Sequence, residues 1–156
     1  MCFSFLFVSC AKGETSSYSI EGTWGLVYYN VTFQAGNELL DSTQGNCDPF
    51  NPTGTMNAKY SFINTNDSTY LLTEFSWNEK KKEWVFEKKG TFRLNDNKLT
   101  LVTIDGDSSG ITATTVITIK SLTADTVVFE RISTEVSDGV TYKIIGIYNM
   151  RRMTSI

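Results

Sequence analysis

The sequence predicts an all-β domain of eight antiparallel strands that closes up-and-down into a barrel, and three observations lead there. From Gly22 onward, β-branched and aromatic residues alternate with polar ones at period two, in runs of strand length. Short segments rich in Asn, Asp, Gly and Ser separate the runs, and these residues tolerate positive φ or bond their own backbone. Helical periodicity is nearly absent.

Taken in order, the runs place strands over Thr23–Gln34, Thr55–Asn64, Thr69–Trp77, Glu83–Leu94, Lys98–Asp105, Thr112–Lys120, Thr126–Thr134 and Val140–Arg151. The connections Asn64–Ser68, Asn78–Lys82, Asn95–Asn97, Asp105–Gly110, Ser121–Asp125 and Glu135–Gly139 are too short for parallel crossovers and read as hairpins. Only Ala35–Pro52 is long, and it is expected to lie as a lid over or beside the barrel mouth.

Alternation assigns the faces. Met56, Ala58, Tyr60 and Phe62 share one side of their strand; Trp84, Phe86, Phe92 and Leu94 share another; Ile111, Ala113, Thr115, Ile117 and Ile119 repeat the pattern. A flat meander would leave two exposed edges, and closure removes them, so the barrel is favoured over a two-sheet sandwich.

Composition bounds the function. At 156 residues, 40% hydrophobic and 20% charged, the chain has material for one packed domain. A net charge of -3 and the absence of a basic face argue against nucleic acid as a partner. Histidine is absent, which removes the commonest general base and metal ligand. Cys2, Cys10 and Cys47 form no CxxC and suit neither a disulfide framework nor a zinc site, so no metal and no cofactor is expected.

The first ten residues are apolar and are followed by a polar stretch, as in a processing segment. Phe7-Val8-Ser9-Cys10 resembles a bacterial lipobox, which implies cleavage before Cys10 and its lipidation as a membrane anchor. Residues 1–9 are then a signal-peptide remnant, 10–21 the lipidated cysteine with a polar tether, and 22–152 the barrel. No basic residue precedes the apolar run, and the same segment also fits an apolar first strand.

Gly22-Thr23-Trp24 places a Gly-x-Trp at the start of the first strand, and Tyr148-Asn149-Met150-Arg151-Arg152 lies at the end of the last. With eight strands between them, this resembles the lipocalin-like domain of Bacteroidetes lipoproteins, over Gly22 to Arg152. The resemblance implies that Gly22 and Trp24 close one end of the barrel with Arg151 or Arg152 over the indole ring. It also implies an outer-membrane lipoprotein of the bacterial cell envelope, periplasmic or surface-exposed. The expected partners are the membrane, through the anchor, and a small ligand.

Tyr28, Tyr60, Phe62, Trp84, Phe86, Phe92 and Tyr148, with Trp77, are the candidate lining for a small hydrophobic ligand. A packed core would need the same rings. The expected function is therefore ligand binding by a monomeric envelope lipoprotein. The alternative is a filled barrel serving as an interaction module toward an envelope protein or glycan. No catalytic residues are assigned; an enzyme would require converging polar groups such as Glu74 with Tyr70 or Tyr142.

Minor motifs have plainer readings. Asp105–Gly110 matches half of a calcium loop, but Val116 falls where a bidentate carboxylate is needed. Lys80-Lys81-Lys82 reads as a solvated hairpin tip, and Cys47 as a half-buried thiol. Asn30-Val31-Thr32 and Asn66-Asp67-Ser68 fit a glycosylation pattern that a bacterial lipoprotein would not use.

Overall fold

The computed structural model describes residues 18–54, 56–65, 69–105 and 112–154. The described chain is all β: β1 (Gly22–Ala35), β2 (Glu38–Asn46), β3 (Ala58–Thr65), β4 (Thr69–Asn78), β5 (Glu83–Asn95), β6 (Lys98–Asp105), β7 (Thr112–Leu122), β8 (Thr126–Ser137) and β9 (Val140–Met153). All neighbours are antiparallel, and β1 pairs with both β3 and β9. β1 and β3–β9 thus close an eight-stranded up-and-down barrel.

The ninth strand corrects the expected lid. Within Ala35–Pro52, Gly36 and Asn37 make a two-residue turn with Ala35 opposite Glu38, and Gly36 takes a positive φ of 58°. Glycine in the first turn position suits the type II′ hairpin, so the chain folds back on β1 as β2 rather than crossing the mouth. β2 pairs with Tyr28–Ala35, beyond the point where β3 leaves β1 at Gly25, and its far edge has no partner among the described residues. The rest of the connection runs down the outer wall, where buried Pro49 packs against Gly25. A Cβ at Gly25 would overlap that proline ring.

Turn chemistry matches the sequence elsewhere. Asp138 and Gly139 both take positive φ between Ser137 and Val140, the geometry of a type I′ hairpin. Asp96 does the same in the tight turn after Asn95.

The core lies at one end of the barrel. Trp24, Phe62, Leu72, Leu99, Val127 and Met150 are its most enclosed side chains, each with at most 2% of its surface accessible. Phe92 meets Phe62 edge to face at 5.1 Å, and Phe129 lies 6.3 Å from Phe62. Burial of side chains of this size contributes about 1.5–3 kcal/mol each, which makes this end the main source of packing stability.

Candidate functional site

The floor is sealed by an arginine. The Arg152 guanidinium lies 4.1 Å from the centroid of Trp24. Its Nε donates to the carbonyl of Ala124 (2.6 Å), Nη1 to Glu21 (2.5 Å) and Nη2 to Ser19 (2.9 Å). The indole Nε1 of Trp24 donates to Ile20 at 2.7 Å, so both partners in the stack are held by backbone oxygens. Gly22, at φ 123°, supplies the space: a side chain there would run into the guanidinium. Of the two candidate arginines, Arg152 covers the ring. Arg151 has the opposite parity and faces Phe50 on the outside, 5.8 Å from its centroid, which removes it from the closure.

Above the floor the barrel is open and holds a cavity of about 340 Å³. Leu26, Phe62, Leu101, Ile117 and Phe129 form its apolar wall; Glu74, Lys88, Arg131, Tyr60, Tyr148, Thr103 and Asn57 bring polar groups to it. The Tyr60 hydroxyl donates to Glu74 Oε1 at 3.4 Å. Burial pushes the Glu74 carboxyl above the usual carboxylate range, while Lys88, the Tyr60 hydrogen bond and Arg131 pull it back. Burial, and next the Glu74 charge, push Tyr60 up as well. The Arg131 side chain makes neither ion pair nor hydrogen bond with the described residues. The interior is therefore amphipathic rather than wholly apolar.

The candidate lining residues divide. Tyr60, Phe62 and Tyr148 border the cavity. Phe92 is in the packed floor beneath it. Trp84 and Phe86 do not face inward. β5 carries a bulge opposite Glu74/Phe75, so Lys88 faces Glu74 inside while Phe86 and Trp84 pair with Phe75 and Trp77 on the outer wall. One extra residue reverses the parity of everything before it. Tyr28 is displaced by the same device: β1 bulges between Leu26 and Tyr28, and the Tyr28 hydroxyl donates to Gln44 on the outer face at 2.9 Å.

The outward rings make a second cluster. Trp77 and Trp84 meet at 5.6 Å, Phe75 and Phe86 at 6.4 Å, and Lys59 Nζ sits 4.6 Å from the Phe75 ring and 4.8 Å from that of Trp84. Burial in this setting lowers the Lys59 pKa.

Sequence reasoning missed Lys88, Arg131, Thr103 and Asn57. Lys88 carried no signal, because the bulge hides its parity. Arg131 was findable, since it shares alternation with Val127 and Phe129. Of the tyrosines considered beside Glu74, Tyr142 stands exposed and the side chain of Tyr70 lies outside those described; the hydroxyl that reaches Glu74 is that of Tyr60. Cys47 Sγ donates to the Met56 carbonyl at 3.3 Å, and burial raises its pKa, the opposite of an activated thiol. Among the described residues no three His, Cys, Asp or Glu side chains converge on a possible metal position. Cys2, Cys10, Asn66–Ser68 and most of the Asp105–Gly110 motif lie outside the described residues.

No protein-family model matches the chain, and comparison with curated proteins returns no relative. Among solved structures, the siderocalin Ex-FABP, described as functioning through dual ligand specificities, is 13% identical over 87% of this chain and 75% of its own, with a TM-score of 0.39. Two mutants of transferrin binding protein B from Haemophilus parasuis Hp5 are also similar. The Tyr-167-Ala/Trp-176-Ala double mutant is 7% identical, with a TM-score of 0.42. The Trp-176-Ala mutant is 9% identical, with a TM-score of 0.41. This chain spans 26% and 27% of their lengths.

Proposed function

We propose that this protein is a non-catalytic binding module of the bacterial cell envelope that holds a small amphipathic acid in the upper half of its barrel. The observation that carries the reading is the two-sided lining of the cavity. Phe62, Leu101 and Phe129 offer an apolar seat below, and Arg131 offers positive charge above, beside Lys88 and the Glu74 carboxylate it faces. A volume of about 340 Å³ sits at the lower end of the range for small-molecule pockets, roughly 300–1,000 Å³. A purely apolar ligand would leave the buried polar groups without partners, whereas an acid places its carboxylate against the guanidinium.

The envelope location rests on the lipobox-like run that ends at Cys10. Two or three acyl chains on that cysteine would hold the protein on a bilayer, since each buried CH₂ contributes about 0.8 kcal/mol. The 18–21 segment, clamped by Arg152 through Ser19 and Glu21, would join the tether to the closed floor.

Native mass spectrometry of protein extracted gently from a bacterial envelope tests the binding role. A co-purifying acid of small mass is the expected result, and an unloaded protein that also fails to bind added decanoic acid would overturn it. The anchor is tested separately: a Cys10→Ala variant should leave the membrane fraction, and one that still sediments with membranes would remove that part of the proposal.

A further inference from the structure

Gly146 interrupts a run of β-branched and aromatic residues on β9, Ile144-Ile145-Gly146-Ile147-Tyr148, at a place where glycine weakens a strand and packs nothing. Its backbone gives no reason for the choice, because its φ lies outside the left-handed range that favours glycine. Space gives one. A Cβ on Gly146 would overlap the hydroxyl, Cζ and Cε2 of Tyr148, two residues on along the same inward face of the strand. The Tyr148 ring therefore lies flat along the barrel wall, in the room that glycine leaves.

Tyr148 borders the cavity. Tyr29 of β1 and Phe129 of β8 stand directly beside it, and Met150, 1% accessible, fills the next inward position toward the floor. A ring lifted off Gly146 is therefore turned into the cavity. Gly146 itself stands opposite Arg131 on β8, so the ring would intrude next to the guanidinium proposed to hold the acid. We infer that Gly146 is a positioning residue that sets the usable volume of the barrel, keeping Tyr148 against the wall so that an acid with an apolar chain can enter. The inference rests on the proposed cavity site and adds the residue that fixes how bulky an occupant it takes.

The test is calorimetric titration of the full, unlipidated chain with decanoic acid, in wild type, Gly146→Ala, Tyr148→Val and the double variant. Gly146→Ala should weaken binding at least about tenfold, because overpacking drives the ring into the space the acyl chain needs. Valine suits a strand and lacks the atoms that a Cβ on Gly146 would meet, so the double variant should bind within about threefold of Tyr148→Val. A general distortion of β9 would not be relieved in this way. Binding by Gly146→Ala within about twofold of wild type would overturn the inference, and so would a loss of about tenfold that persists between Tyr148→Val and the double variant. Should Gly146→Ala fail to fold, the double variant decides: it should fold and bind as Tyr148→Val does, and failure in either respect overturns the inference. Both of these results leave the cavity site intact, whereas wild type that binds no decanoic acid would overturn that site and the inference with it.

Discussion

The two ends of this barrel are made by the same strands and the same alternation, yet one is solid and the other is hollow. At the floor, large rings and branched chains from opposite walls meet across the axis: Trp24, Phe62, Leu72, Leu99, Val127 and Met150 leave almost no accessible surface. Toward the other end, inward positions carry Glu74, Lys88, Thr103 and Arg131 around the cavity. An eight-stranded barrel is wide enough either to fill or to hold one small ligand. Here the choice is made level by level. The packed end and the proposed binding end are therefore separable along the axis, so substitutions at the two should be felt in different measurements.

The largest expected effect is at the floor. Trp24→Ala removes a fully buried ring and leaves Arg152 over a void, which should cost about 3–5 kcal/mol in urea unfolding. A loss below 1 kcal/mol would mean the floor is not the stabilising end. Next, Arg152→Ala should cost about 2–3 kcal/mol, because three backbone carbonyls lose a charged donor. Arg151→Ala, whose contact with Phe50 is on the outer surface, should cost less than about 1 kcal/mol. Similar losses for the two would contradict the assignment of the closing arginine.

At the hollow end the signature inverts. Arg131→Gln should leave the unfolding free energy within about 0.5 kcal/mol and weaken decanoic acid binding roughly tenfold. The smallest effect concerns pH. The folded-state pKa of Glu74 is raised, so folding is disfavoured once the unfolded chain ionises there, and the penalty grows as pH rises from the ordinary carboxylate value toward the folded one. Glu74→Gln keeps an acceptor for Tyr60 and should gain stability at pH 7, on the order of 0.5 kcal/mol. The gain should disappear below the usual carboxylate pKa; a gain that persisted or grew at low pH would place the origin elsewhere.

The barrel was legible because alternation and turn residues are local. Gly22, Trp24 and Arg152 were legible because closure joins the first and last strands, which lie at recognisable places in the chain. β2 escaped notice since Glu38-Leu39-Leu40-Asp41-Ser42-Thr43-Gln44 lacks the β-branched alternation of the other strands, although Gly36-Asn37 was a usable hairpin signal. The cavity lining was harder. Bulges at Val27 and opposite Glu74 each insert one residue, and each turns the preceding or following aromatic residues from inside to outside. Parity is reliable only within an unbroken ladder. For this reason Tyr28, Trp84 and Phe86 left the site, and Lys88 entered it.

The separation of a packed floor from a hollow upper half is most directly tested by a residue-resolved NMR titration with decanoic acid. The shifts are expected at Tyr60, Leu101, Phe129, Arg131 and Tyr148, with Leu99, Val127 and Met150 unmoved. Shifts centred on the outer rings of Phe75, Trp77, Trp84 and Phe86, with the interior silent, would contradict it.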